Sequence, residues 1–322
     1  MTNPDNQQKI EKALGCWYLT GATASGKTKT SLALAALLDA EIVSLDSMAI
    51  YRGMDIGTAK PGPDEQQQVP HHLLDIVDPT EQYSVSQYRD AALETIDQIQ
   101  GRGKQVLFVG GTALYLKALL RGMFNGPPAD WEFRKEVEAE IAEMGAEFLF
   151  QRLEMVDPVS ASNLHPNDHR RIIRALEVYK TTGKPISHWQ MEFDEGHEAD
   201  ECRVFTIRQD RSVLHRRIEE RVAGMFEAGL IDEVKALIDR YETLGKTAAQ
   251  AVGYCEVIDF LAGEKTTEEM VERVEIRTRR FARHQETWFR GLSECRIIDV
   301  EKDFEPEVLA KHIFEIGQAV EI

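Results

Sequence analysis

Gly21-Ala22-Thr23-Ala24-Ser25-Gly26-Lys27-Thr28 is the stretch that decides the fold. It satisfies G-x-x-x-x-G-K-[ST] at every fixed position. It follows the short apolar run Cys16 to Leu19 and opens a helical pattern that extends to Leu38. Strand, glycine-rich turn and helix in that order make a phosphate cradle. The glycines let the backbone wrap an anion, while loop N–H groups and the helix N-terminus face the charge. Lys27 adds a cation and Thr28 offers a hydroxyl to Mg²⁺. The motif predicts a bound phosphate and, by itself, suggests a nucleotide such as ATP.

Outward from the loop, short apolar runs alternate with helical patterns: Glu41 to Leu45, a helix from about Ser86 to Ile99, then Gln105 to Val109. This is the rhythm of a parallel sheet with crossover helices, an α/β fold. Asn125-Gly126-Pro127-Pro128 is the strongest breaker in the chain, and the sequence after it reads as helical to about Gly196. Strand character returns at Arg203 to Ile207. A long helical region follows, with Leu214, Ile218, Val222, Met225 and Phe226 at three-to-four spacing, and Arg296 to Val300 reads as the last strand. The expected organisation is a P-loop parallel-sheet core from residues 1–126 and 200–322, interrupted by a helical insertion at 127–199. Residues after about Asp303 read as a closing helix.

Of 322 residues, 43% are apolar and 29% charged, which excludes disordered, collagen-like and disulfide-scaffold classes. The first fourteen residues lack an apolar signal region, no run is long enough to span a membrane, and the four cysteines are scattered. A reduced cytoplasm, a monomer and no membrane partner are expected. The net charge of −17 speaks against non-specific affinity for nucleic acid, but the charge is uneven. Six arginines (273, 277, 279, 280, 283 and 290) lie between Arg273 and Arg290 against two glutamates. They form either a local polyanion site or a solvated face bridged to Glu272 and Glu275.

Two parts of ordinary nucleotide machinery are missing. Gln105 to Val109 ends in Gly110-Gly111-Thr112, with no carboxylate for a Walker-B role, and no N-K-x-D occurs. Asp46 instead stands where Glu41 to Leu45 runs out, at the strand end where open α/β sheets bind ligands. There it can take a proton from a nucleophile, or it caps a following helix together with Ser47. Adjacent His71 and His72 point to opposite faces of a strand and have no partner at ligand spacing, so a loop or core role is expected rather than a metal.

The run Asp46-Ser47-Met48-Ala49-Ile50-Tyr51-Arg52-Gly53-Met54-Asp55-Ile56-Gly57-Thr58-Ala59-Lys60-Pro61 resembles the tRNA dimethylallyltransferase family. The resemblance continues, in order, through Pro70-His71-His72-Leu73-Leu74-Asp75, Tyr83-Ser84-Val85, Gly110-Gly111-Thr112-Ala113-Leu114-Tyr115 and His165-Pro166-Asn167-Asp168. It then takes in Arg174-Ala175-Leu176-Glu177-Val178-Tyr179, Gly183-Lys184-Pro185, Val252-Gly253-Tyr254 and Thr287-Trp288-Phe289-Arg290, and spans about residues 16 to 291.

The resemblance implies a core like the nucleotide kinases and a helical insertion that grips a tRNA anticodon stem-loop. It implies that dimethylallyl diphosphate occupies the phosphate loop and that its prenyl group goes to N6 of adenosine 37. By residue-to-residue matching, Arg221 and Lys27 would stabilise the leaving diphosphate with Mg²⁺, Thr23 would lie near the leaving oxygen, and Asp46 would be the base. The RNA-facing positions would be Asp46, Ser47, Met48, Ala49, Thr112, Arg134, Arg170, Arg171, Arg174, Gln250, Gly253, Tyr254, Arg283, Gln285, Trp288 and Arg290, with adenosine 37 flipped from its stack.

Three positions depart from the family pattern: Ala22 replaces proline, and Cys255 and His284 replace basic residues. The latter two predict weaker or more pH-dependent tRNA binding. The rivals are a P-loop small-molecule kinase, which leaves Asp46 to Pro61 without a role, and a non-catalytic RNA-binding protein with a vestigial phosphate loop. Intact Lys27, Thr28 and Asp46 speak against the second.

Overall fold

A computed structural model describes residues 4–124, 126–190, 193 and 195–320; Asn125 of the predicted breaker lies outside them. Six strands, β1 (Trp17–Gly21), β2 (Ala40–Ser44), β3 (His71–His72), β4 (Gln105–Gly110), β5 (Val204–Gln209) and β6 (Cys295–Val300), form one sheet in the order β3-β2-β4-β1-β5-β6. Every pairing is parallel. The predicted first strand extends two residues further, because Thr20 pairs with Gly110 and its buried hydroxyl lies 2.7 Å from that of Thr206. The chain first builds toward one edge of the sheet and, after β4, toward the other. The reversal falls at β1, so its carboxyl end is the topological switch point where such sheets bind ligands.

Strand alternation sorts the core into two layers. Tyr18, Val43, Leu45, Val106 and Phe108 pack with Tyr88, Tyr115 and Phe289 on one face. Trp17, Leu19, Ile42, Leu107, Phe205 and Ile207 pack on the other against Leu34, Leu309 and Ile313, which come from the helices Lys27–Leu38 and Pro306–Gln318. The predicted closing helix is the second of these. A third cluster gathers Ile50, Tyr51, Met54, Leu230, Val234, Tyr254 and Val257.

The chain divides into two units, Arg121–Glu195 and Asn3–Leu120 together with Gly196–Ile322. The described part of the first unit is helical, running through Trp131–Met144, Ala146–Val156, Pro158–Asn163, His169–Thr182 and Ile186–Gln190 around Phe133, Val137, Leu149, Leu153, Ile172 and Leu176. Asp130, Asp157 and Asp168 accept N–H bonds at three of its helix starts.

His72 Nε2 lies 2.6 Å from Glu41, which also takes a bidentate pair from Arg102. Among the described residues no group of three or more His, Cys, Asp or Glu could hold a metal ion. All four cysteines are free, and burial pushes Cys16 and Cys202 up to about 12. No helix among the described residues is long and apolar enough to cross a membrane.

Candidate active site

The phosphate loop joins β1 to the helix Lys27–Leu38, whose N-cap, Gly26, supplies no side-chain hydrogen bond. The first N–H groups of this helix therefore lack a cap and face the loop, as an anion site requires. Lys27 turns back onto its own loop, donating to the carbonyls of Gly21 at 2.9 Å and Ala22 at 2.6 Å. Burial, then the Arg221 guanidinium, pull its pKa down to about 7, while Asp46 works in the opposite direction. Burial also lowers Arg221, again opposed by Asp46. Two cations and one carboxylate thus meet where β1 and β2 end, with the cations held in each other's field. An anion entering between Lys27 and Arg221 relieves that repulsion.

Asp46 is not a helix cap. Its Oδ1 accepts from the N–H groups of Met48 at 2.8 Å and Ala49 at 3.2 Å, forming a tight turn with no helix after it. Oδ2 has no hydrogen-bond partner among the described residues. Thr112 braces the turn: its hydroxyl accepts from Ser47 N–H at 3.0 Å, while its own N–H donates to Leu45 O at 3.1 Å. Asp46, Ser47 and Met48 are half-buried, and Ala49 is buried.

Arg221, on the helix Arg211–Glu227, donates to Thr58 O at 3.4 Å. The segment before Thr58 is tied down by Glu233, a residue the sequence did not single out. Its carboxylate accepts the N–H groups of Asp55, Ile56 and Gly57 at 3.0, 2.7 and 3.3 Å, and the Tyr254 hydroxyl at 2.6 Å. From the other side Lys60 donates to Asp55 and Asp75, each at 2.6 Å, and to Tyr51 O at 2.8 Å. The run Asp46 to Pro61 is therefore a clamped loop that carries the carboxylate at one end and a carbonyl brace for Arg221 at the other.

Several residues expected to face RNA lie elsewhere. Tyr254 is fully buried, and proximity to Glu233 adds to burial in raising its hydroxyl pKa. Its ring belongs to the third core cluster, which corrects the expectation. Gln285 is buried as well: its Oε1 accepts from Thr23 N–H at 2.8 Å and its Nε2 donates to Gly111 O at 2.9 Å. It bridges the phosphate loop to the end of β4 and offers no free edge to a base. Gly253 is buried, and its N–H is held by Glu256 at 2.9 Å.

Gln250, Arg283, Trp288 and Arg290 are exposed, the last three on the helix Thr267–Arg290. On the same helix Arg277 pairs with Glu256, and Arg279 pairs with Glu219 and Glu275, so the bridging partners differ in part from those expected. In the helical unit Arg134 and Arg174 are both drawn onto the fully buried Glu177, Arg134 in a bidentate pair at 2.8 Å, whereas Arg170 and Arg171 are exposed.

For Mg²⁺ the loop offers the Thr28 hydroxyl. A single hydroxyl donor suits a cation that keeps most of its waters and binds chiefly through phosphate.

A family model described as IPP transferase matches residues 49–292. The tRNA dimethylallyltransferase of Rhodopirellula baltica is 48% identical over 299 residues, 90% of each chain. The crystal structure of the full-length tRNA isopentenylpyrophosphate transferase from Bacillus halodurans is 39% identical, with a TM-score of 0.67 over 95% of this chain and 97% of its own. A eukaryotic dimethylallyltransferase, captured acting on tRNA, is 27% identical with a TM-score of 0.71, over 88% of this chain and 73% of its own. The family-model match runs from Ala49 through the Thr112 brace, the helical unit and the arginine-rich helix, and on that breadth the chain belongs to the IPP transferase family.

Proposed function

We propose that this chain transfers the dimethylallyl group of dimethylallyl diphosphate to N6 of adenosine 37 in the anticodon loop of tRNA. The observation that carries the proposal is that Lys27, held on Gly21 O and Ala22 O, and Arg221, held on Thr58 O, lie within electrostatic reach of each other and of Asp46 near the switch point. Two cations there face a carboxylate, and β4 ends in Gly110-Gly111 without a Walker-B acid. That arrangement suits departure of a diphosphate from carbon better than phosphoryl transfer.

In the step proposed, the C1–O bond of the prenyl diphosphate breaks and the diphosphate leaves with the electron pair. The N6 lone pair forms the new bond to C1, and the N6 proton passes to Asp46. An exocyclic adenine amine is a weak nucleophile, so a carboxylate that orients it and removes its proton is needed. The Met48 and Ala49 N–H bonds fix Asp46 Oδ1 and leave Oδ2 for that task. Lys27, Arg221 and the loop N–H groups stabilise charge on the departing diphosphate, with Thr23 beside the leaving oxygen. Mg²⁺, held through Thr28 and phosphate oxygens, would supply further charge neutralisation.

Binding of the stem-loop is assigned to Arg170 and Arg171 of the helical unit and to Arg283, Trp288 and Arg290 of the long helix. All five are exposed, as phosphate contacts and stacking require. The same proposal takes the enzyme to be a cytoplasmic monomer, and the free cysteines suit that setting.

The test incubates enzyme and Mg²⁺ with labelled dimethylallyl diphosphate and an unmodified anticodon stem-loop. The controls are Asp46→Asn, which can keep the turn while removing the base, and RNA with guanosine at position 37. Transfer lost by about 10²-fold or more in both supports the proposal. ATP turnover dependent on Lys27, with no transfer, overturns it in favour of a kinase.

A further inference from the structure

One end of the phosphate loop is closed by residues that the transfer chemistry does not use. Phe304, in the turn between β6 and the last helix, lies directly on Gly26: a Cβ built on that glycine would stand 2.6 Å from Cζ and 3.3 Å from Cε1 of the ring. Gly26 has φ of +100°, so the position demands glycine for its backbone as well as for the ring above it. The Arg217 guanidinium lies 5.5 Å from the ring centroid and donates to Lys302 O at 3.1 Å, fixing both the ring and the turn that carries it.

Arg217 and Arg221 stand one turn apart on the same helix, a rise of about 6 Å. Arg221 lies in the field of Asp46 and Lys27, and Arg217 lies beside Gly26 and Phe304. The loop therefore has an Asp46 end and a Gly26 end, and the helix Arg211–Glu227 runs past both.

A diphosphate whose carbon reacts at Asp46 must be substituted at that end and bare at the other. A nucleotide laid with its terminal phosphate at Lys27 is the reverse, since its sugar must leave past Gly26. We propose that Phe304, held by Arg217, blocks the nucleoside exit of the phosphate loop and so restricts it to diphosphates whose single organic group leaves toward Asp46. The inference rests on the prenyl-transfer reading and adds how the loop excludes the cell's abundant nucleotides, by obstruction rather than by lost contacts. The sequence carried no sign of it, since residues after about Asp303 matched nothing specific.

The test titrates the whole enzyme with Mg²⁺ and two probes, inorganic diphosphate and ADP, by calorimetry. The variants are Phe304→Ala and Phe304→Leu, the second keeping more of the apolar packing, with thermal unfolding followed for both. The wild type should bind diphosphate at least about tenfold tighter than ADP. Phe304→Ala should tighten ADP by about tenfold, Phe304→Leu by less, with diphosphate affinity within about threefold throughout. Wild-type binding of ADP as tight as that of diphosphate, or affinities for both probes that move together in the variants, would overturn the proposal.

Labelled prenyl transfer is measured on the same samples. Absent transfer with ADP selectivity that follows Phe304 removes the function proposed above and keeps the obstruction. Normal transfer with unmoved ADP affinity does the opposite.

Discussion

Gln285→Leu is expected to cost the core about 2–6 kcal/mol, although the substitution keeps roughly the same volume. Gln285 is buried and satisfies two backbone groups, Thr23 N–H at 2.8 Å and Gly111 O at 2.9 Å. Leucine leaves both without partners, and a buried polar group left unpaired costs about 1–3 kcal/mol. Gly111→Ala should remove the same bridge from its other end, because its new Cβ would occupy the space of Gln285 Nε2. The two single variants and the double variant therefore form a cycle. In urea unfolding, the double variant should lose little more than the worse single one, a coupling close to the smaller of the two single losses. Prenyl transfer should report the same event as a rise in KM for the diphosphate, since Thr23 belongs to its cradle. Additive losses, or a Gln285→Leu cost below about 0.5 kcal/mol, would refute the bridge. Weakened tRNA binding at unchanged stability would return Gln285 to the RNA surface.

Lys27 has a folded pKa of about 7 against an ordinary 10.5, so between those values the unfolded chain holds more protons than the folded one. The stability of wild type relative to Lys27→Met should then rise with pH from about 7 toward 10. A flat difference in urea midpoints across that window would show that the ammonium is not strained. In the helical unit, burial pushes the Glu177 pKa upward, but the hydrogen bonds from Arg134 and Arg174 outweigh it and leave the pKa below its ordinary 4.5. Its contribution is therefore complete above about 4.5 and is lost as pH falls through the lower folded value. Glu177→Ala should cost about 3–5 kcal/mol, because two arginines lose a buried partner. Hydrogen exchange in Trp131–Met144 and His169–Thr182 should accelerate, and unchanged protection there would count against it. Arg171→Ala should lower the salt dependence of tRNA affinity by about one contact. Arg134→Ala should loosen the unit instead and leave that slope unchanged, and a reversed pattern in filter binding at several salt concentrations would exchange the two roles.

What the sequence revealed follows the distance over which each signal acts. The phosphate loop was legible because strand, turn and helix are contiguous, and every group that makes the cradle lies within Gly21 to Thr28. Five of the six strands were legible for the same reason, each being a short apolar run with bounds off by one or two residues, as where Thr20 found a cross-strand partner; β3 was not, since His71–His72 carries no apolar pattern. Asp46 was read correctly as a strand-end carboxylate, but its turn was not separable from a helix cap, since aspartate serves both and the choice depends on Thr112, brought near by β2–β4 pairing.

Gln285 and Tyr254 mark where local reading stops. Both sit in motifs that the family resemblance assigned to an RNA surface. Yet one side chain bonds a loop 262 residues earlier, and the other fills a core that needs Glu233 to receive its hydroxyl. A motif identifies a neighbourhood and leaves open whether each polar residue in it faces the ligand or holds the residues that do. In this chain the groups in the phosphate site with a free edge are few, and Gln285, Thr112 and Glu233 spend most of their hydrogen bonds on backbone. That division explains how a site built from loops can hold two neighbouring cations before any anion arrives. Their mutual repulsion is borne by a framework fixed from several distant parts of the chain, and it becomes binding energy only when the diphosphate enters between them.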